Sequence, residues 1–149
     1  MAFFYEDPPE VYWYPNQNFG NSTITHNVIG PPGKVGMVMD IMADVTTAMV
    51  GTSTVPEIDV GTASGDATYA RYRLGSAAGT GYLASATPKR ASQEAWTGNP
   101  PITLSDFAGH VALNKARIPK DTAFVITLAA GTGGSPAGTA SVYVVIKWF

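Results

Sequence analysis

Ser105, Asp106 and His110 are the one place in this 149-residue chain where a hydroxyl, a carboxylate and an imidazole crowd together. A hydrolytic triad needs a nucleophile, a base and an orienting acid held in one geometry. The turn that usually presents such a serine is missing, because Gly61-Thr-Ala-Ser-Gly65 departs from the Gly-x-Ser-x-Gly spacing by one residue. An ordinary polar turn accounts better for residues 105–110. The second histidine, His26, has no acidic neighbour in sequence. Gly30-Pro-Pro-Gly-Lys34 lacks the first glycine and the hydroxyl of a phosphate loop. Gly131-Thr-Gly-Gly134 is like a dinucleotide fingerprint only superficially, since strand patterns flank it on both sides.

Asp40 and Asp44 would share a face on a helix, but the segment around them alternates with period two. Without cysteine there is neither a disulfide framework nor a thiolate metal site, and no His/carboxylate cluster has metal-ligand spacing. The expectation is a non-enzyme with no cofactor and no metal. A net charge of −2 and scattered basic residues speak against nucleic acid. No signal peptide and no long apolar run are visible, so no membrane partner is expected.

The elements around these residues read as strands. Charged residues are 13% of the chain, against about 25% in ordinary soluble domains. Sixteen glycines and eleven prolines accompany 45% apolar residues, which suits a many-turned β protein. Phe124, Ile126 and Leu128 fall on one face of one strand pattern, and Val142, Val144, Ile146 and Trp148 on one face of the last. With the glycine-rich loop between them, Thr122 to Phe149 reads as a hairpin. Val35, Met37, Met39, Ile41 and Val45 form another inward row, in which the methionines fill core space. Ile58 and Val60 point inward, with Glu57 and Asp59 outward. Arg71 and Arg73 share a side with Tyr69, opposite Tyr72 and Leu74. The reading is an all-β chain: an antiparallel β-sandwich over residues 34–149, preceded by an extended N-terminal arm.

That arm, residues 1–33, is rich in aromatics and broken by proline. Phe3, Phe4, Tyr5, Tyr12, Trp13, Tyr14 and Phe19 lie in its first nineteen residues, and Pro8, Pro9 and Pro15 interrupt it. Such clusters either fold back on their own domain or mark an association surface. Arginine beside tyrosine is a common interface pairing. The arm aromatics, with Arg71 and Arg73, are therefore the candidate contact residues.

Asp44-Val-Thr-Thr-Ala48, Val50-Gly-Thr52, Pro56-Glu-Ile-Asp-Val-Gly61 and the ending Val142-Tyr-Val-Val-Ile-Lys-Trp148 resemble a pattern in small virion structural proteins of tailed bacteriophages. The resemblance covers about residues 35–149 and leaves the arm aside. It includes capsid cement, or decoration, proteins. It implies a jelly-roll-like sandwich, a homotrimer, and binding to the major capsid protein on the outside of the shell. It also implies assembly in the cytoplasm of the bacterial host. A glycan-binding module of a phage fibre or head appendage is the alternative.

Overall fold

A computed structural model describes residues 7–54, 56–74, 88–90 and 117–149. Among these residues there is no helix, and every strand pairing is antiparallel. The strands are β1 (Glu10–Asn18), β2 (Ile24–Ile29), β3 (Gly36–Val50), β4 (Glu57–Gly61), β5 (Ala70–Arg73), β6 (Pro88–Arg90), β7 (Arg117–Ile118), β8 (Ala123–Ala129) and β9 (Ala137–Trp148). Sheet A has the order β1-β9-β3-β6, with β7 also paired to β3, and sheet B the order β2-β8-β4-β5.

The alternating rows meet between the sheets. Ala140, Val142, Val144, Ile146 and Trp148 of β9 point inward, as do Phe124, Ile126 and Leu128 of β8, and all are buried. Burying each Val, Ile or Phe contributes about 1.5–3 kcal/mol, so neither sheet is stable bare. Ile58, Val60 and Tyr72 cover the same core from sheet B. Val38, Ile41, Ala43 and Val45 of β3 cover it from sheet A.

Two expectations about the strands are corrected. The Thr122–Phe149 stretch is not a hairpin: β8 lies in sheet B and β9 in sheet A, so residues 130–136 cross from one layer to the other. Both strands carry an inward row, and an arch between layers lets the rows face each other, which a flat hairpin would not. The arch is knitted to its neighbours: Gly131 N–H donates to the Phe19 carbonyl, Ser53 N–H to the Thr132 carbonyl and Phe19 N–H to the Gly138 carbonyl. Gly138 has φ of 139° and lies against Met49, where a Cβ would collide.

The second correction concerns β3. Its register against β9 slips between Val38 and Asp40. The bulge shifts the inward set from Gly36 and Val38 to Ile41, Ala43 and Val45, and leaves Met39 39% exposed. Met37 and Met39 therefore do not share the inward row with Ile41. A strict period of two cannot anticipate an inserted residue.

Residues 10–18 and 24–29, set apart with the arm in the sequence, are strands of sheets A and B. Tyr12 and Tyr14 pack against the core while Val11 and Trp13 point away from it. Pro15 sits where the β1–β9 register breaks, between Tyr14 and Gln17, as proline in an edge strand should. Phe3, Phe4 and Tyr5 lie outside the described residues.

Candidate functional site

The outer face of sheet A is built by the same alternation that fills the core. Pairing places Trp13 opposite Tyr143 and Tyr143 opposite Met42, making one row across β1, β9 and β3. The next row holds Val11, Val145 and Asp40. Trp13 is 58% exposed and Val11 53%. The Trp13 and Tyr143 rings stack, with centroids 6.3 Å apart and planes 13° apart. Further along, Phe149 is 59% exposed with the Lys147 ammonium 5.8 Å above its ring. Asp44 and Ser141 pair at the other end of the face. This is a largely apolar, aromatic-centred surface with charge at its margins, the composition that protein interfaces favour.

The outer face of sheet B differs in kind. Asp59, expected to point outward, does so yet is 0% exposed. Arg71 holds it with two bonds, Nε to Oδ1 at 2.6 Å and Nη2 to Oδ2 at 3.2 Å. Arg71 also reaches Glu57 at 3.4 Å, and Arg73 reaches Glu57 at 3.4 Å. Burial, and then the Asp59 charge, push the Glu57 carboxyl up, against the pull of the two arginines.

The 62–68 loop folds onto this network. Gly65 N–H donates to the buried Thr127 hydroxyl at 3.0 Å, and Arg71 donates to the Gly65 carbonyl at 3.3 Å. The loop is closed by Asp66, which accepts from Thr62 N–H (2.7 Å), the Thr62 hydroxyl (2.8 Å) and the Thr68 hydroxyl (2.6 Å). The Thr62 amide first, then the Thr68 hydroxyl, hold its pKa down to about 2. An unfolded Asp titrates near 3.8, so this stabilisation is complete above that pH and fades as pH falls through about 2. Asp66→Ala is expected to cost ~1 kcal/mol at pH 7, allowing for solvent screening. In urea unfolding the gap from wild type should close towards pH 2; a gap that persists there would contradict the capping role.

The candidate contact residues thus separate. Trp13 is on the open face. Tyr12 and Tyr14 are half-buried: the Tyr12 hydroxyl donates to Glu10 at 2.7 Å and its ring meets Phe124 edge-on at 6.0 Å. Burial raises the pKa of both phenols, and for Tyr12 the Glu10 bond adds to it. Phe19 is corrected outright: at 1% exposure it fills the core beneath the 130–136 arch instead of a contact surface. Arg71 and Arg73 are engaged by Asp59 and Glu57. Val11, Met42, Tyr143 and Val145 were not singled out in sequence; the signal for Val11, Tyr143 and Val145 was the non-core parity of β1 and β9, and Met42 joins them from β3.

Ser105, Asp106 and His110 lie outside the described residues. Among the described residues, no group of three His, Cys, Asp or Glu side chains is placed to hold a metal ion, and no helix is long and apolar enough to cross a membrane. Comparison with known proteins finds no matching family model, no similar curated protein and no similar solved structure.

Proposed function

We propose that this chain is a structural protein of a tailed-phage virion that binds the outside of the capsid and clamps neighbouring major capsid subunits. The observation that carries a binding role is the exposed Trp13–Tyr143 row on the outer face of sheet A, flanked by Val11, Met42 and Val145. The phage shell enters through the resemblance of Asp44–Gly61 and Val142–Trp148 to small virion proteins. In this reading the sandwich is a jelly roll. Supporting that are the strand orders β1-β9-β3-β6 and β2-β8-β4-β5, which two interleaved Greek keys produce if β6 and β7 share one strand position.

The aromatics Phe3, Phe4 and Tyr5 precede β1 as an arm for subunit or shell contact, and three protomers close into a ring. A closed trimer multiplies weak contacts, because the second and third sites engage at high effective concentration. The role needs no reacting group, cofactor, nucleic acid or membrane, and the protein resides on the virion after assembly in the bacterial cytoplasm.

Sedimentation with capsid shells of the encoding phage tests this. Truncating residues 2–15 would remove most of β1, so Trp13→Ala is the cleaner variant. It should weaken shell binding by about tenfold or more, as loss of a central aromatic does, with unfolding little changed. Equal binding by variant and wild type would remove the sheet A face from the proposal. A glycan-binding module of a fibre or head appendage is the second reading, favoured by the same exposed indole, which offers a broad apolar face and a polar N–H. A specific glycan-array signal that Trp13→Ala abolishes, with no shell binding, would select it.

A further inference from the structure

One ionisable side chain has no place in the contact face or in the sheet B network. His26 is on β2, an edge of sheet B, and points towards sheet A. Its ring stacks on Tyr14 of β1, the edge of sheet A, with centroids 4.0 Å apart and planes 21° apart. His26 Nε2 is buried without a hydrogen-bond partner. The stack therefore closes the seam between the two sheets with an imidazole whose Nε2 has, among the described residues, neither a hydrogen-bond partner nor a carboxylate beside it.

We propose that His26 is an acid-sensitive latch on β1: protonating its imidazole releases from the seam the strand that carries Trp13. Every described element packed here is apolar or already engaged. On β2 the same-face neighbours are Ile24 and Val28, and on β8 Phe124, Ile126 and Leu128. On β9 they are Val142 and Val144. On β1 the ionisable groups are Tyr12 and Tyr14, whose burial keeps them neutral, and Glu10. The Glu10 carboxylate is occupied further along by the Tyr12 hydroxyl and by the Trp148 indole N–H at 2.8 Å. An imidazolium at position 26 would thus be desolvated without a counter-charge, which a protein avoids by opening. Burial alone lowers the His26 pKa from 6.5. The neutral ring's stability is complete above that value and is lost as pH falls towards the lowered folded pKa, because only the open form takes up the proton.

The consequence for shell binding, loosening of the Trp13 face in acid, rests on the function proposed above. The latch itself does not, so it is tested on the free full-length chain by hydrogen exchange. Opening constants of the β1 amides bonded to β9, corrected for intrinsic exchange, should rise about tenfold per pH unit below 6.5 until the folded pKa is reached. Amides of β4, interior in sheet B, should open with much smaller constants than those of β1, and His26→Phe should flatten the β1 profile. Glu57 and Asp66 lie on the far side of sheet B and should contribute equally in both chains. A flat wild-type profile, an equal slope in His26→Phe, or β1 opening constants no larger than those of β4 would overturn the latch. Should His26→Phe fail to fold, NMR titration of the wild-type imidazole decides together with the wild-type exchange profile. A His26 pKa at or above 6.5 refutes the latch, and a lower one with β1-selective opening supports it.

Discussion

Arg71→Ala should lower the free energy of unfolding by about 3–5 kcal/mol, the usual cost of leaving a buried charge without its partner. Asp59 has no access to water, and the Arg71 guanidinium supplies both of its side-chain bonds. Removing Arg71 also takes a cation from Glu57, which burial and Asp59 already push up. It cuts a tie to the 62–68 loop at Gly65 as well. The loss belongs to the orphaned carboxylate and not to a favourable pair, because desolvating two ions offsets most of their attraction. Asp59→Leu with Arg71→Met should therefore recover most of the stability. Urea unfolding followed by tryptophan fluorescence reads both variants. A double variant as unstable as Arg71→Ala would show that the pair itself holds sheet B to its loop.

Trp148→Ala should cost a similar ~3–5 kcal/mol, for a different reason. The indole lies against Gly30 and Gly36, where any Cβ would overlap its ring, and meets Phe124 with centroids 6.1 Å apart. Its N–H satisfies Glu10, so truncation opens a cavity and strips a carboxylate of a donor at once. Trp148→Phe should cost less, since it keeps most of the volume. Gly36→Ala should destabilise from the opposite side by overpacking, about 1–3 kcal/mol. If Gly36→Ala unfolds at the wild-type urea midpoint, the indole is not confined as described.

These two sites show what the sequence made visible and what it hid. The inward rows of β8 and β9 were legible because Phe124, Ile126, Leu128, Val142, Val144, Ile146 and Trp148 alternate cleanly. Their partners were not, because alternation gives a strand its faces but not its neighbour, and a glycine-rich loop serves an arch as well as a hairpin. The β3 bulge was hidden for a related reason: Met37 and Met39 keep the parity of Ile41 in sequence and lose it in the sheet. Asp59 was correctly placed outward, yet its burial depends on the 62–68 loop and on Arg71 twelve residues away. At the candidate contact face, Trp13 could be named from its type alone. Tyr143 and Met42 could not, since they join it only through pairings across more than a hundred residues of chain.

The most direct test of the proposed shell-binding role is a side-chain-resolution reconstruction of the virion to which the proposal assigns the chain. Density for this sandwich is expected on the outer surface of the capsid, with Trp13 and Tyr143 against a major capsid subunit. A particle that lacks the chain, or one that carries it with the Trp13–Tyr143 face turned to solvent, would contradict it.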